Sequence, residues 1–226
     1  GVVGVPGPID YVNGKVLYLP NLPKWGTYVT ARRLSDELGI DVLLANDADL
    51  AALGEHRFGS AVGSMDMVYV TASTGVGAGA VIGGRLLHGN LSLAEVGHNV
   101  IDKRTYGTVE YLGSGTALGR ISGEDGTEVT RKALAGDEEA LAHIAAVVDA
   151  LAVGILNLAH IFSPEVIVVG GGLSLAGDLV LDPIKKMLIE RGRNFPAGRA
   201  KVVLASGGDD VGLKGGAAHW SDEHGV

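Results

Sequence analysis

An asparagine and an aspartate, Asn46-Asp47, stand where the apolar run Asp41-Val42-Leu43-Leu44-Ala45 gives way to a helical pattern. A carboxylate at the C-terminal end of a buried strand sits where open α/β sheets place their ligands. There it can take a proton from an alcohol while the neighbouring amide orients a second hydroxyl. Asp47 can also cap the helix that follows, and from the dipeptide alone capping is the favoured reading. A second group is Thr74-Gly75-Val76-Gly77-Ala78-Gly79, between two strand-like runs. Its backbone N–H groups can form a nest for phosphate, and a plain β-turn fits equally well. It precedes no helix and no GxxxxGK occurs, so neither dinucleotide fingerprint nor P-loop is present. Glu95-Val96-Gly97-His98 with Glu110 offers acceptors for several hydroxyls of a polyol. A zinc site and a solvated charged loop are the other readings of those three side chains. Gly170-Gly171-Gly172, between a strand and a helix, allows a nucleoside to lie against backbone, or simply makes a tight turn.

The elements around these groups read as follows. Residues 1–5 form a buried-strand pattern broken by Pro6-Gly7, and Asn13-Gly14 reads as a two-residue hairpin turn returning through Lys15-Val16-Leu17-Tyr18. A helix is predicted over residues 27–39, entered at Thr27 and stopped at Gly39. Another is predicted from Leu50 to Phe58, with residues 46–49 as a loop before it. Strands are predicted at Met67-Val68-Tyr69-Val70-Thr71, Ala80-Val81-Ile82, Glu165-Val166-Ile167-Val168-Val169 and Lys201-Val202-Val203-Leu204. Leu141, Ile144, Val148, Leu151, Ile155, Leu158 and Phe162 recur in steps of three and four, one apolar stripe of a helix over 137–162 stopped by Ser163-Pro164. Further helices are expected from about Ser174 and over 211–220. Strands alternating with helices make an α/β protein with a mainly parallel or mixed sheet.

Composition narrows the partners. The formal net charge is −8, which argues against nucleic acid or anionic membrane as the main partner. With no cysteine among the 226 residues, disulfides and thiolate metal sites are excluded. The apolar runs are expected to be too short to span a bilayer, and a cytoplasmic location is the default. The 36 glycines cluster at strand ends, near 75–84, 170–172 and 207–216, where backbone must approach something closely.

Taken in order, these segments resemble the ROK family of bacterial sugar kinases and related repressors. Gly4-Val5-Pro6-Gly7-Pro8-Ile9-Asp10 and Pro20-Asn21-Leu22-Pro23-Lys24-Trp25 resemble its sugar-side loop, and residues 46–55 its catalytic segment. Residues 74–79 resemble its second phosphate motif, and Val168-Val169-Gly170-Gly171-Gly172-Leu173-Ser174 its adenosine motif. The resemblance implies an actin-like ATPase (ribonuclease H-like) fold, with residues 1–45 a remnant of the N-terminal lobe and 46–226 the C-terminal lobe. It implies a glucokinase-type transfer from ATP, with Mg²⁺, to the 6-hydroxyl of a hexose, glucose first. Asp47 would be the base; Asn21, Asn46, Glu95, His98 and Glu110 would hold the other hydroxyls. Thr74, Gly75, Gly77 and Gly79 would cradle phosphate, and Gly171 and Gly172 would face adenosine. A homodimer is also implied.

Two departures stand out. The family follows its Gly-His with a cysteine-rich zinc-binding stretch, whereas Asn99 to Val109 contains no cysteine. No bound zinc is therefore expected, with packing through Tyr106 and Tyr111 presenting Glu110 instead. The family's Asp-x-Gly-Gly-Thr phosphate loop is also absent from these residues, and the expectation is a natural protein that is longer. The alternative function is the sugar-sensing core of a ROK repressor, the one reading in which nucleic acid is a partner.

Overall fold

The computed structural model describes the chain apart from residues 20, 21, 23, 27 and 226. In chain order it contains β1 (Val2–Val5), β2 (Ile9–Asp10), β3 (Lys15–Val16), α1 (Ala31–Leu38), β4 (Leu43–Asn46), α2 (Asp47–Phe58), β5 (Met67–Ala72), β6 (Val76–Ile82) and β7 (Arg85–Leu86). A 3-10 turn (Val96–His98) leads to β8 (Val100–Asp102), β9 (Gly107–Thr108), α3 (Val109–Gly113), α4 (Gly115–Ser122), α5 (Gly126–Leu134) and α6 (Glu138–Phe162). Then come β10 (Val166–Gly170), a 3-10 helix (Gly172–Ala176), α7 (Asp178–Gly192), a 3-10 turn (Pro196–Arg199), β11 (Lys201–Leu204) and α8 (Val211–His224).

The central sheet is mixed, in the order β11-β10-β5-β6-β7. β10 runs parallel to both β5 and β11, while β6 is antiparallel to β5 and β7 to β6. Alternation along β5 explains its unbroken apolar run. Val68 and Val70 face one core with Ile144, Val148, Leu151 and Ile155 of α6. Met67 and Tyr69 face another with Ala52 and Leu53 of α2. A strand covered on both faces has no polar side to show. A separate parallel pair, β1 and β4, carries Val5 against Asn46 at its end.

Several predicted boundaries shift, each for a local reason. The hairpin turn contains Asn13-Gly14 but spans four residues, 11–14, because Asp10 pairs with Lys15 and the Asp10 carboxylate holds the Asn13 backbone and side chain at 2.9 and 2.8 Å. The expected helix start at Thr27 lies outside the described residues. The helix found begins at Ala31, since Val29 accepts from Val16 N–H and the Thr30 hydroxyl caps by accepting from Arg33 N–H at 3.1 Å. Gly39 stops it as predicted, with φ 68°. α7 starts at Asp178 rather than near Ser174, because Gly177, φ 61°, interrupts the chain after the 3-10 helix. α8 runs to His224.

α6 corrects the expectation that no apolar segment could span a bilayer. By length and composition this 25-residue helix could. Its stripe instead fills the core: Ile144, Val148, Leu151 and Ile155 are at most 1% exposed, while Asp149 points outward.

Glu55 is a structural anchor on α2, fully buried. Its carboxylate accepts from the backbone N–H groups of Ser60 (2.8 Å), Ser206 (3.1 Å) and Gly207 (2.7 Å). Glutamine would set an NH₂ donor against these donors and leave at least one unpaired. Glu55→Gln is expected to cost about 2–3 kcal/mol, read as a lower urea midpoint; an unchanged midpoint would remove Glu55 as the anchor.

Candidate active site

β4 runs directly into α2, so the predicted loop at 46–49 does not exist. Asn46 is the N-cap, its Oδ1 accepting from Ala48 N–H at 2.9 Å and Asp49 N–H at 3.3 Å. Its Nδ2 donates to Gly7 O at 3.2 Å, fastening the Pro6–Pro8 loop to the same junction. The capping role weighed for Asp47 thus falls to its neighbour. Asp47 is the first helical residue and is exposed. Its Oδ1 accepts from Ala48 N–H at 2.9 Å, and Oδ2 takes no hydrogen bond from the described residues. Asp47 lines a cavity of about 510 Å³ with Gly4, Leu50, Asp209, Gly216 and Trp220, a lining that does not include Glu95, His98 or Glu110.

The other expected sugar ligands gather around Glu95. Partial desolvation raises the Glu95 carboxyl above its ordinary range; Asp47 and Glu110 add to this and His98 opposes it. Asp47 is raised as well, chiefly by partial desolvation of its carboxyl, against the pull of the Ala48 N–H. Glu110 is committed in part, since its Oε2 accepts from Val76 N–H at 2.9 Å. That bond ties the Glu110 carboxylate to the start of β6. Asn21 lies outside the described residues.

The glycine-rich hairpin is shorter than predicted. Ser73 N–H donates to Gly75 O at 2.8 Å, and β6 starts at Val76 because Ala72 pairs with Val76 and Thr71 with Gly77. Gly77 and Gly79 are therefore strand residues rather than members of a phosphate nest. Gly79 serves packing: a Cβ there would lie 2.9 Å from the Asp49 Cα and 2.8 Å from the Ala48 O. Thr74 stays at the turn and lines a second cavity, about 480 Å³, with Ser73, Gly115, Thr116, Thr127 and Gly172. Gly171, at φ 81°, presses on Ala72 O, where a Cβ would stand at 2.5 Å. It thereby sets Gly172 at the cavity wall.

Residues 115–130 contribute much of that wall, and sequence reasoning missed them. Ser114 caps α4 by accepting from Ala117 N–H, Thr116 Oγ1 donates to Thr74 O at 2.7 Å, and Gly115 N–H donates to Ser73 O at 2.6 Å. Ser-Gly-Thr and Asp-Gly-Thr were readable as helix starts, but nothing local said which loop they would face. Tyr11 and Asp49 were missed too. Asp49 is 2% exposed and its carboxyl is pushed up to about 7, first by burial, then by Glu95 and Asp47, against a hydrogen bond from Tyr11.

A sequence model of the ROK family matches residues 2–223. The chain belongs to the ROK family. This ROK chain is 33% identical to a glucokinase from Thermotoga maritima, over 96% of its own length and 77% of that protein. It is 31% identical to a putative xylose repressor from a Caldicellulosiruptor species, over 84% of its length and 54% of that protein. Two solved ROK structures superpose with a TM-score of 0.82 at 30% identity. They are a hexokinase from Thermus thermophilus, covering 97% of this chain and 78% of that one, and a Streptomyces griseus glucokinase in complex with glucose and AMPPNP, covering 96% and 79%. The actin-like ATPase fold expected from the sequence is thus established.

The stretch in which the ROK resemblance implies zinc is organised differently. Asp102 accepts from Arg104 N–H at 2.9 Å and from the Thr105 hydroxyl at 2.8 Å, and Val109 N–H donates to Asn99 O at 2.9 Å. Hydrogen bonds close this β8–β9 hairpin; Tyr106 is 76% exposed, while the Tyr111 ring packs under the Arg120 guanidinium, 3.9 Å from its centroid. His98 belongs to no group of three His, Asp or Glu able to hold a metal among the described residues, so the donors do not fit zinc. Elemental analysis of the purified protein is expected to find zinc well below one equivalent; a stoichiometric amount would overturn this.

Proposed function

We propose that this ROK chain is the catalytic core of an ATP-dependent hexose kinase, with glucose as the first substrate to test and its 6-hydroxyl as the acceptor. The observation that carries the reading is Asp47, relieved of capping by Asn46 and lining a cavity at the end of β4. As the sugar oxygen attacks the γ-phosphorus, its proton passes to Asp47, the new O–P bond forms, and the bond to the β-phosphate oxygen breaks to release ADP. Glu95, His98, Glu110 and the remaining Asn46 N–H would hold the other hydroxyls, and positioning would supply most of the acceleration. ATP would lie in the cavity between Thr74, Thr116, Thr127 and Gly172, whose volume of about 480 Å³ is within the usual range for small-molecule sites. Mg²⁺ would neutralise charge on the phosphates.

The glucokinase from Thermotoga maritima and the glucose- and AMPPNP-bound structure from Streptomyces griseus support this reading. A lobe division at residues 45–46 is supported by β1 and β4 forming a sheet of their own. A homodimer is proposed from the family resemblance, and a cytoplasmic location from the sequence composition. The sugar-sensing alternative draws on the xylose repressor relatives. The deciding experiment incubates the full-length protein with ATP, Mg²⁺ and a panel of hexoses and reads the product by phosphorus NMR. A hexose 6-phosphate is expected. No transfer to any sugar, together with sugar-sensitive DNA binding, would overturn the kinase in favour of the repressor.

A further inference from the structure

Behind Asp47 lies a polar contact that neither helix capping nor proton transfer uses. Tyr11, in the loop between β2 and β3, donates its hydroxyl to Asp49 Oδ2 at 2.9 Å. The Asn46 amide nitrogen lies 3.5 Å from the same phenolic oxygen. One hydroxyl therefore touches the last residue of β4 and the first turn of α2, on either side of Asp47. The ring is held in turn: it stacks on His88 with centroids 4.7 Å apart, and Tyr11 N–H donates to Asn90 O at 3.1 Å. Ile9 N–H donates to the Ser92 hydroxyl at 2.9 Å, so the whole hairpin is braced against residues 88–92.

Stability alone explains this contact poorly. A buried carboxylate costs several kcal/mol unless it is well partnered, and Asp49 is buried within the field of two further carboxylates, Asp47 and Glu95. An apolar residue would fill the site at lower cost. Its use lies in what it joins, because the loop that follows β1 is attached to the same junction from the other side through Asn46 and Gly7.

We propose that Tyr11 and Asp49 are positioning residues for sugar phosphorylation, a hydroxyl–carboxylate latch that holds the β2–β3 hairpin at a set distance from Asp47. The proposal rests on the kinase reading of Asp47. Neither residue touches reacting atoms: the Tyr11 O–H is committed to Asp49, and Asp49 is closed off by burial. Without the latch the hairpin loosens, whereas α2 stays in place on β6 and α8. The hexose is then held less well, while the cavity of Thr74, Thr116 and Gly172 is untouched.

The test is steady-state kinetics of the full-length protein with the hexose it phosphorylates. Tyr11→Phe, which keeps the ring and its stacking, and Asp49→Ala are each expected to raise the hexose KM about tenfold. The ATP KM should stay within about twofold and kcat within about threefold of wild type. Asp49→Asn keeps an oxygen acceptor for the phenol and should restore the hexose KM to within about threefold. Tyr11→Phe combined with Asp49→Ala should be no worse than Asp49→Ala alone, since both break one interaction. A wild-type hexose KM in Tyr11→Phe, or an asparagine variant as impaired as the alanine one, overturns the latch while leaving the kinase reading intact. If the wild type binds hexose without phosphorylating it, the kinase reading fails by itself. The latch is then read from hexose Kd by calorimetry, and equal values for wild type and Tyr11→Phe overturn it.

Discussion

Asp47→Asn in the full-length protein is expected to lower hexose phosphorylation by roughly 10³-fold while hexose binding stays within about threefold, because general-base catalysis contributes on the order of 10²–10⁴. The amide keeps the size of the carboxylate and can still accept the Ala48 N–H that Asp47 Oδ1 accepts at 2.9 Å. The helix keeps its cap, since Asn46 supplies it. What disappears is a group able to take the hydroxyl proton. A pH profile adds a second reading. A carboxylate base works only when ionised, and partial desolvation raises the Asp47 pKa above the ordinary 3.8. Wild-type kcat/KM should therefore fall about tenfold per unit as the pH drops below that raised value, at a higher pH than a fully solvated aspartate would give. The residual activity of the asparagine variant should lack this limb. Unchanged turnover in Asp47→Asn would end the assignment of the base.

Gly215→Ala is expected to be the most damaging single methyl in the chain, costing about 3 kcal/mol or more. α2 and α8 cross backbone to backbone here. A Cβ at Gly215 would fall on Leu50 O and come 3.0 Å from Gly54 N, and one at Gly54 would fall on Val211 O. No flexible side chain can yield, so α8 must move off the helix that carries Asp47. For a chain of this size the melting temperature should drop by roughly 6–12 °C. Gly212→Ala, on the same helix with nothing within 4 Å of its Cβ position, is the control and should be neutral or slightly stabilising. Equal melting temperatures for the two variants would show that the crossing tolerates a side chain.

Periodicity made some of this molecule readable before any fold was known. The stripe from Leu141 to Phe162 specified α6 and its buried face, because a helix in a core must be apolar every three or four residues. Val166 to Val169 and Lys201 to Leu204 read as strands for a similar reason, and Gly39 stopped α1 through its left-handed φ. Starts were less legible. Thr30 and Asn46 cap their helices with side chains whose partners lie two or three residues on. Asp10 holds the hairpin turn in the same way. These short-range hydrogen bonds compete with the hydrophobic pattern and move boundaries by several residues.

By itself the sequence determined that the chain is an α/β protein, that Asp47 follows a buried strand, and that the glycine clusters sit at junctions. These follow from side-chain periodicity and backbone freedom, which act within a few residues. Only the tertiary structure decided that Glu110 is bound to the start of β6, that Gly79 serves helix packing rather than phosphate, and that residues 115–130 face Thr74 and Gly172. Tyr11 meets Asp49 across 38 positions of chain. No local pattern marks such a pair, because each residue acquires its role only when separate elements are pressed together and the water between them is excluded.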